Sequence, residues 1–158
     1  MVSLLLHAGL RVGELVALRV GDVDISDRKG QVTVRFGKGG KQRTVPLNAY
    51  ARRAVRAWLV ARPELGNALF HGKGGRPLSE RGVQWLVSRY ARRAGLEGVS
   101  PHNLRHSLGK NLVDAQVPLD QVATLLGHES LDTTRIYTTP SADDLANAVE
   151  RVAWTDQA

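Results

Sequence analysis

The sequence predicts a mainly α-helical protein with one small antiparallel β-sheet, an α+β fold. Three observations lead there. Capping signals stand ahead of stretches with helical period, at Asn48, Ser79 and Ser100-Pro101. Only two short segments alternate with period two, and a glycine-rich stretch joins them. The 158 residues hold no repeat, low-complexity run or internal boundary, so one core is expected over residues 1–158.

Taken in order, Leu4 to Ala8 reads as the tail of a helix that Gly9 breaks. Arg11 to Leu18 is a second helix with Leu15 and Leu18 turned inward. Gly21 to Lys29 is polar and Asp-rich, and is expected to be a loop. Gln31 to Phe36 and Gln42 to Leu47 are the two strands, joined by the hairpin Gly37 to Lys41. Pro46 favours an edge or end position because it cannot donate to a ladder.

Asn48 caps a helix to about Ala61 that carries Val55, Trp58 and Leu59 on its apolar stripe. Arg62 to Gly75 is loop, interrupted by the apolar Leu69-Phe70. Ser79 caps a helix that Gly95 ends, and Ser100-Pro101 opens one running to about Ala115. Pro118 starts the next helix and Gly127 stops it. Ser130 caps a short helix holding Tyr137, and Asp143 to Trp154 is a last amphipathic helix with Leu145, Val149 and Val152 on one side.

No apolar run approaches the ~18 residues of a membrane span, and the first residues lack the basic lead of a signal peptide. Without cysteine there can be no disulfide or thiolate metal site; this fits the cytoplasm. A net charge of +7 fits a partner that is a polyanion such as nucleic acid.

His102 and Arg105 lie three apart in the first turn of a helix, so both face one side. Free backbone N–H groups and the helix dipole favour an anion there, and a guanidinium matches phosphate oxygens. Arg11 opens its own helix in the same way, with Glu14 one turn on to hold its neighbours in place. His106 is four residues from His102, the spacing of a helical zinc pair. The intervening residues lack the glutamate of zinc proteases and include a cation, so no metal is expected and His106 is a packing or supporting residue.

Gly37-Lys38-Gly39-Gly40-Lys41 lacks the ending of a P-loop and joins two strands; it suits contact with a nucleic-acid backbone. Tyr137 has an ordinary pKa of about 10, so it becomes a nucleophile only among cations and a base. Several separate elements could each donate one group to a single phosphate.

Four segments resemble the catalytic domain of the tyrosine recombinases, the phage integrase family. They are Ala-Gly-Leu-Arg-Val-Gly-Glu-Leu (8–15), Gly-Lys-Gly-Gly-Lys-Gln-Arg-Thr-Val-Pro-Leu (37–47), Ser-Pro-His-Asn-Leu-Arg-His-Ser (100–107) and Leu-Leu-Gly-His-Glu-Ser-Leu-Asp-Thr-Thr-Arg-Ile-Tyr-Thr (125–138). They occur in family order and cover almost the whole chain.

The resemblance implies a site-specific recombinase that cleaves and rejoins DNA through a 3′-phosphotyrosine, without metal, ATP or other cofactor. Arg11 and Arg105 would clamp the phosphate, His102 would accept the proton of Tyr137 or hold the phosphate, and His128 would donate to a non-bridging oxygen. Lys38, or less well Lys41 in the same loop, would protonate the leaving 5′-oxygen, and Tyr137 would attack phosphorus. Glu14 would support the site, and Lys41, Arg43, Ser79, Arg81 and Gln84 would contact DNA.

The partner implied is a double-stranded recombination site, with self-association on DNA through the C-terminal helical tail, residues 141–158. Family members also carry an N-terminal DNA-binding domain, so the chain reads as a catalytic domain truncated at its N-terminus. Leu108-Gly109-Lys110 departs from the small or apolar residues of many relatives. Two alternatives stay open: a non-catalytic DNA-binding remnant, and strand cleavage of the type IB topoisomerase kind.

Overall fold

The computed structural model describes residues 1–35, 42–128 and 132–137. Helices α1 (Val2–His7) and α2 (Val12–Ala17) come first, followed by strands β1 (Val23–Ile25), β2 (Gly30–Val34) and β3 (Arg43–Pro46). Then come α3 (Ala49–Ala61), α4 (Glu80–Arg93), α5 (Pro101–Asp114), α6 (Leu119–Leu126) and the one-turn α7 (Asp132–Arg135). The mainly helical α+β fold predicted from the sequence is the one observed.

The sheet is antiparallel in the order β1-β2-β3, with Val32 opposite both Val23 and Val45. β3 is an edge strand and Pro46 is its last residue, where its missing donor costs least. Residues 23–25 correct an expectation: Gly21 to Lys29 was expected to be loop, yet it holds a third strand. Val23-Asp24-Ile25 alternates, but three residues among aspartates are too short to show a period. What makes it a strand is its pairing with β2, a contact invisible locally.

Leu4 and Leu5 of α1, Leu15 of α2, Val32 and Val34 of β2, Val45 of β3 and Val55 of α3 form the core. Leu69 and Phe70 from the long loop join it, and the Trp58 indole N–H donates to Leu69 O at 2.7 Å. α1 packs on both α3 and α5, and α2 packs on α4. The helix starts follow the predicted caps. Asn48 Oδ1 accepts from Ala51 N, Ser79 Oγ from Gly82 N and Ser100 Oγ from Asn103 N. No helix among the described residues is long and apolar enough to cross a membrane.

Candidate active site

The last turn of α6 organises the site. Gly127 follows it in the left-handed region (φ 64°, ψ 49°), which turns the chain so that His128 leaves the helix end. The carbonyls of a helix's last turn have no partner within the helix and carry the negative end of its dipole. Here three in succession accept from three arginines. Leu125 O takes Arg43 Nε at 3.4 Å, Leu126 O takes Arg105 Nη2 at 2.6 Å, and Gly127 O takes Arg11 Nη2 at 2.8 Å.

Arg105 also donates through Nη1 to Gly9 O, so two backbone carbonyls fix its fork. It is 5% exposed, and burial, with Arg11 next, lowers its pKa to about 10, still cationic at neutral pH. Glu14, 6% exposed, receives Arg43 Nη1 and Nη2 at 2.7 and 2.8 Å and Arg11 Nη1 at 3.0 Å. It accepts the Arg11 backbone N–H as well, at 2.8 Å. Burial alone would raise its pKa, but these arginines outweigh burial and hold it below the ordinary carboxylate value. Two guanidiniums thus share one carboxylate, with that of Arg105 held nearby by backbone carbonyls, and the site stays cationic.

A cleft of about 350 Å³ opens above them, lined by Arg11, His102, Arg105, His128 and Thr133 among others. His102 is exposed at its rim in the first turn of α5. His128 Nδ1 lies 2.9 Å from Oγ1 of the fully buried Thr134. Burial first, and then Arg105, Arg11 and Arg43, lower the His128 pKa to about 4, so the ring is neutral at pH 7.

Tyr137 stands just past α7 and not within it, a correction to the predicted short helix. Its N–H donates to Thr134 O at 3.0 Å. Its ring lies 4.9 Å from the His106 ring and 6.3 Å from the His128 ring. Burial raises its pKa while Arg105 opposes the rise, so the resting phenol keeps its proton.

The structure therefore brings together Arg11, Glu14, His102, Arg105, His128 and Tyr137. Arg43, expected to face DNA, is instead bound by Glu14 and the end of α6, with 14% of its side chain exposed. Ser79 is spent on capping α4, while Arg81 and Gln84 stand exposed on that helix and do not line the cleft. Lys38 and Lys41, the Ser130 cap and the C-terminal Leu145, Val149 and Val152 lie outside the described residues.

Sequence reasoning missed Thr134 and the α6 carbonyls. Thr134, three residues before Tyr137, had a positional signal; backbone carbonyls have none. Among the described residues there is no group of three or more His, Asp or Glu that could hold a metal.

The sequence model of the phage integrase family matches residues 1–143. The chain is 42% identical over 142 residues to the tyrosine recombinase XerC of Haemophilus ducreyi, covering 87% of this chain and 46% of that protein. It is 41% identical over 153 residues to XerA of Thermococcus kodakarensis, covering 95% of this chain and 53% of that one. The chain spans about half the length of these relatives.

Among solved structures, a XerA recombinase superposes with a TM-score of 0.82 at 27% identity, covering 97% of this chain and 57% of that one. A XerH site-specific recombinase bound to its difH substrate, a pre-cleavage complex, gives 0.77 at 29%, covering 98% and 46%. With its arginines, histidines and tyrosine gathered by the same fold, the chain belongs to the phage integrase family.

Proposed function

We propose that residues 1–158 act as the catalytic domain of a site-specific DNA recombinase. The observation that carries this reading is the arginine pair, Arg11 and Arg105, held by successive carbonyls at the end of α6 on one cleft with His102 and His128, whose ring lies 6.3 Å from that of Tyr137. Backbone anchoring leaves the guanidinium charge in place while fixing where it points. Such preorganised donors stabilise charge that develops on phosphate oxygens.

In this reading Tyr137 Oη attacks phosphorus and the bond to the 5′-oxygen breaks. The phenol proton passes to His102, and the leaving 5′-oxygen takes a proton from Lys38. The product is a 3′-phosphotyrosine and a free 5′-hydroxyl. Attack by a 5′-hydroxyl of a second strand reverses the step and restores a phosphodiester, so no ATP is consumed. No cofactor is needed for this balance. Arg11 and Arg105 hold the non-bridging oxygens throughout.

His128 donates the third hydrogen bond. If the Thr134 hydroxyl donates to Nδ1, the ring's proton sits on Nε2, free to face the phosphate. Thr134→Val is then expected to slow cleavage about tenfold while Thr134→Ser stays near the parent rate. Single-turnover cleavage of the same DNA by both variants checks this; equal rates for Val and Ser would refute it.

Double-stranded DNA carrying the recombination site is the partner, in the cytoplasm, with self-association on DNA through residues 141–158. Arg81 and Gln84 on α4 are its outlying contacts, with Ser79 at the helix start.

Covalent trapping tests the reading. The protein is mixed with nicked duplexes of randomised sequence, in which the fragment beyond the cleaved bond diffuses away. Covalently bound strands are then recovered under denaturing conditions. The expected result is DNA attached to the peptide containing Tyr137, with one sequence enriched. Binding without attachment would favour the DNA-binding remnant. Attachment without sequence enrichment, together with plasmid relaxation, would favour topoisomerase-like cleavage.

A further inference from the structure

The Arg11 side chain, 30% exposed, reaches the cleft on two acceptors, Glu14 Oε1 at 3.0 Å and Gly127 O at 2.8 Å. Arg43 grips both of them from behind. Its Nη1 and Nη2 donate to Oε1 and Oε2 of Glu14 at 2.7 and 2.8 Å, a two-point contact that fixes the plane of the carboxylate. Its Nε donates to Leu125 O at 3.4 Å, and its guanidinium lies against Gly127. A β-carbon added at Gly127 would stand 2.9 Å from Cζ, Nε and Nη1 of Arg43, closer than real β-carbons come.

We propose that Arg43 is a positioning residue for Arg11: it locks the Glu14 carboxylate and the Gly127 peptide where together they aim the Arg11 guanidinium into the cleft. This rests on the reading of Arg11 as a phosphate clamp. Arg43 itself stands on a rigid base. It opens β3 opposite Val34, two residues before the fully buried Val45.

Two physical needs meet in this one side chain. A guanidinium displaced by about 1 Å from its phosphate oxygens costs on the order of 100-fold in rate, so both of its anchors must be held. The second need is charge. Glu14 facing Arg11 alone would pair with it and cancel much of its field. Shared with Arg43, the same carboxylate orients Arg11 and leaves net positive charge for the phosphate. Lysine cannot replace this fork, because it is a point charge without the planar pair of donors.

The test compares Arg43→Met and Arg43→Lys with the parent on the nicked duplex recovered by trapping. The rate of covalent attachment at saturating duplex is expected to fall about 100-fold in the Met protein and about 10-fold in the Lys protein. The duplex concentration giving half the maximal rate should stay within about threefold of the parent value. The salt dependence of noncovalent binding should keep its slope, because a side chain with 14% exposure leaves its charge on Glu14. Loss of a phosphate contact would instead lower that slope by about 0.9.

A double-mutant cycle separates positioning from a merely structural role. With Arg11→Lys in place there is no fork left to aim, so adding Arg43→Met should slow attachment by less than about threefold. Where the Met protein folds poorly, Arg43→Lys keeps a cation beside Glu14, and the same cycle is read with it. An unchanged saturating rate in both variants, a slope lowered by about 0.9, or a full loss repeated in the Arg11→Lys background would each overturn the role. Failure of the parent itself to attach DNA would instead remove the strand-cleavage reading on which it rests.

Discussion

Tyr137→Phe is expected to abolish covalent attachment to DNA while leaving fold and noncovalent binding nearly intact. Phenylalanine keeps the ring over Gly109 and beside His106, and only the hydroxyl is lost. The arginine clamp does not depend on that hydroxyl, because Arg11 and Arg105 are held by the carbonyls of Gly127, Leu126 and Gly9. Stability should change by no more than about 0.5 kcal/mol. Attachment, by contrast, loses its nucleophile and should fall by about 10⁴-fold or more. Denaturing gels and gel-shift titrations on the same nicked duplex read both quantities. Residual attachment in the Phe protein would assign the nucleophile to another residue. In the parent, burial raises the phenol further above its ordinary pKa, so attachment should quicken as pH rises.

Glu14→Gln is expected to be the costliest single change to stability. The side chain is 4% exposed and its carboxylate lies against two guanidiniums, Arg43 at 2.7 Å and Arg11 at 3.0 Å. Removing its charge leaves Arg43 buried without a counter-ion, next to two further arginines. Such a loss costs roughly 3–5 kcal/mol, with the lower end expected because Arg11 is partly exposed and screened. Chemical denaturation of the two proteins measures it; a difference below about 1 kcal/mol would refute the account.

The pH dependence supplies a second signature. Glu14 has a depressed pKa in the folded protein, so its stabilising effect is present above the unfolded value of about 4.5. It is lost as pH falls through the lower folded value. His128 is also depressed, from 6.5 to about 4, so stability declines between those values as the unfolded ring gains a proton the folded ring refuses. The parent should therefore lose stability in two steps on acidification. Glu14→Gln should keep the step that begins near pH 6.5 and lose the more acidic one.

How much of this was legible follows from the range of each interaction. The α5 start was readable because Ser100, Pro101 and Asn103 cap it within four residues. The same holds for the His102 and Arg105 pairing on one helix face, and for the Gly127 stop with its left-handed backbone. β1 was not readable. Its three residues become a strand only through Val32, Gln31 and Gly30 of the next strand. Arg43 gave no hint of its place, since a basic residue beside a lysine-rich loop looks like a free contact.

By itself, then, the sequence determined helices α1 to α6, nearly to their ends, and the residue types available to one phosphate, because those depend on neighbours a few positions away. Only the tertiary structure decided what holds them. Arg11 reaches Gly127 across 116 residues, Arg43 reaches Leu125 across 82 and Arg105 reaches Leu126 across 21. The acceptors are backbone carbonyls, which every residue carries, so no side chain marks them.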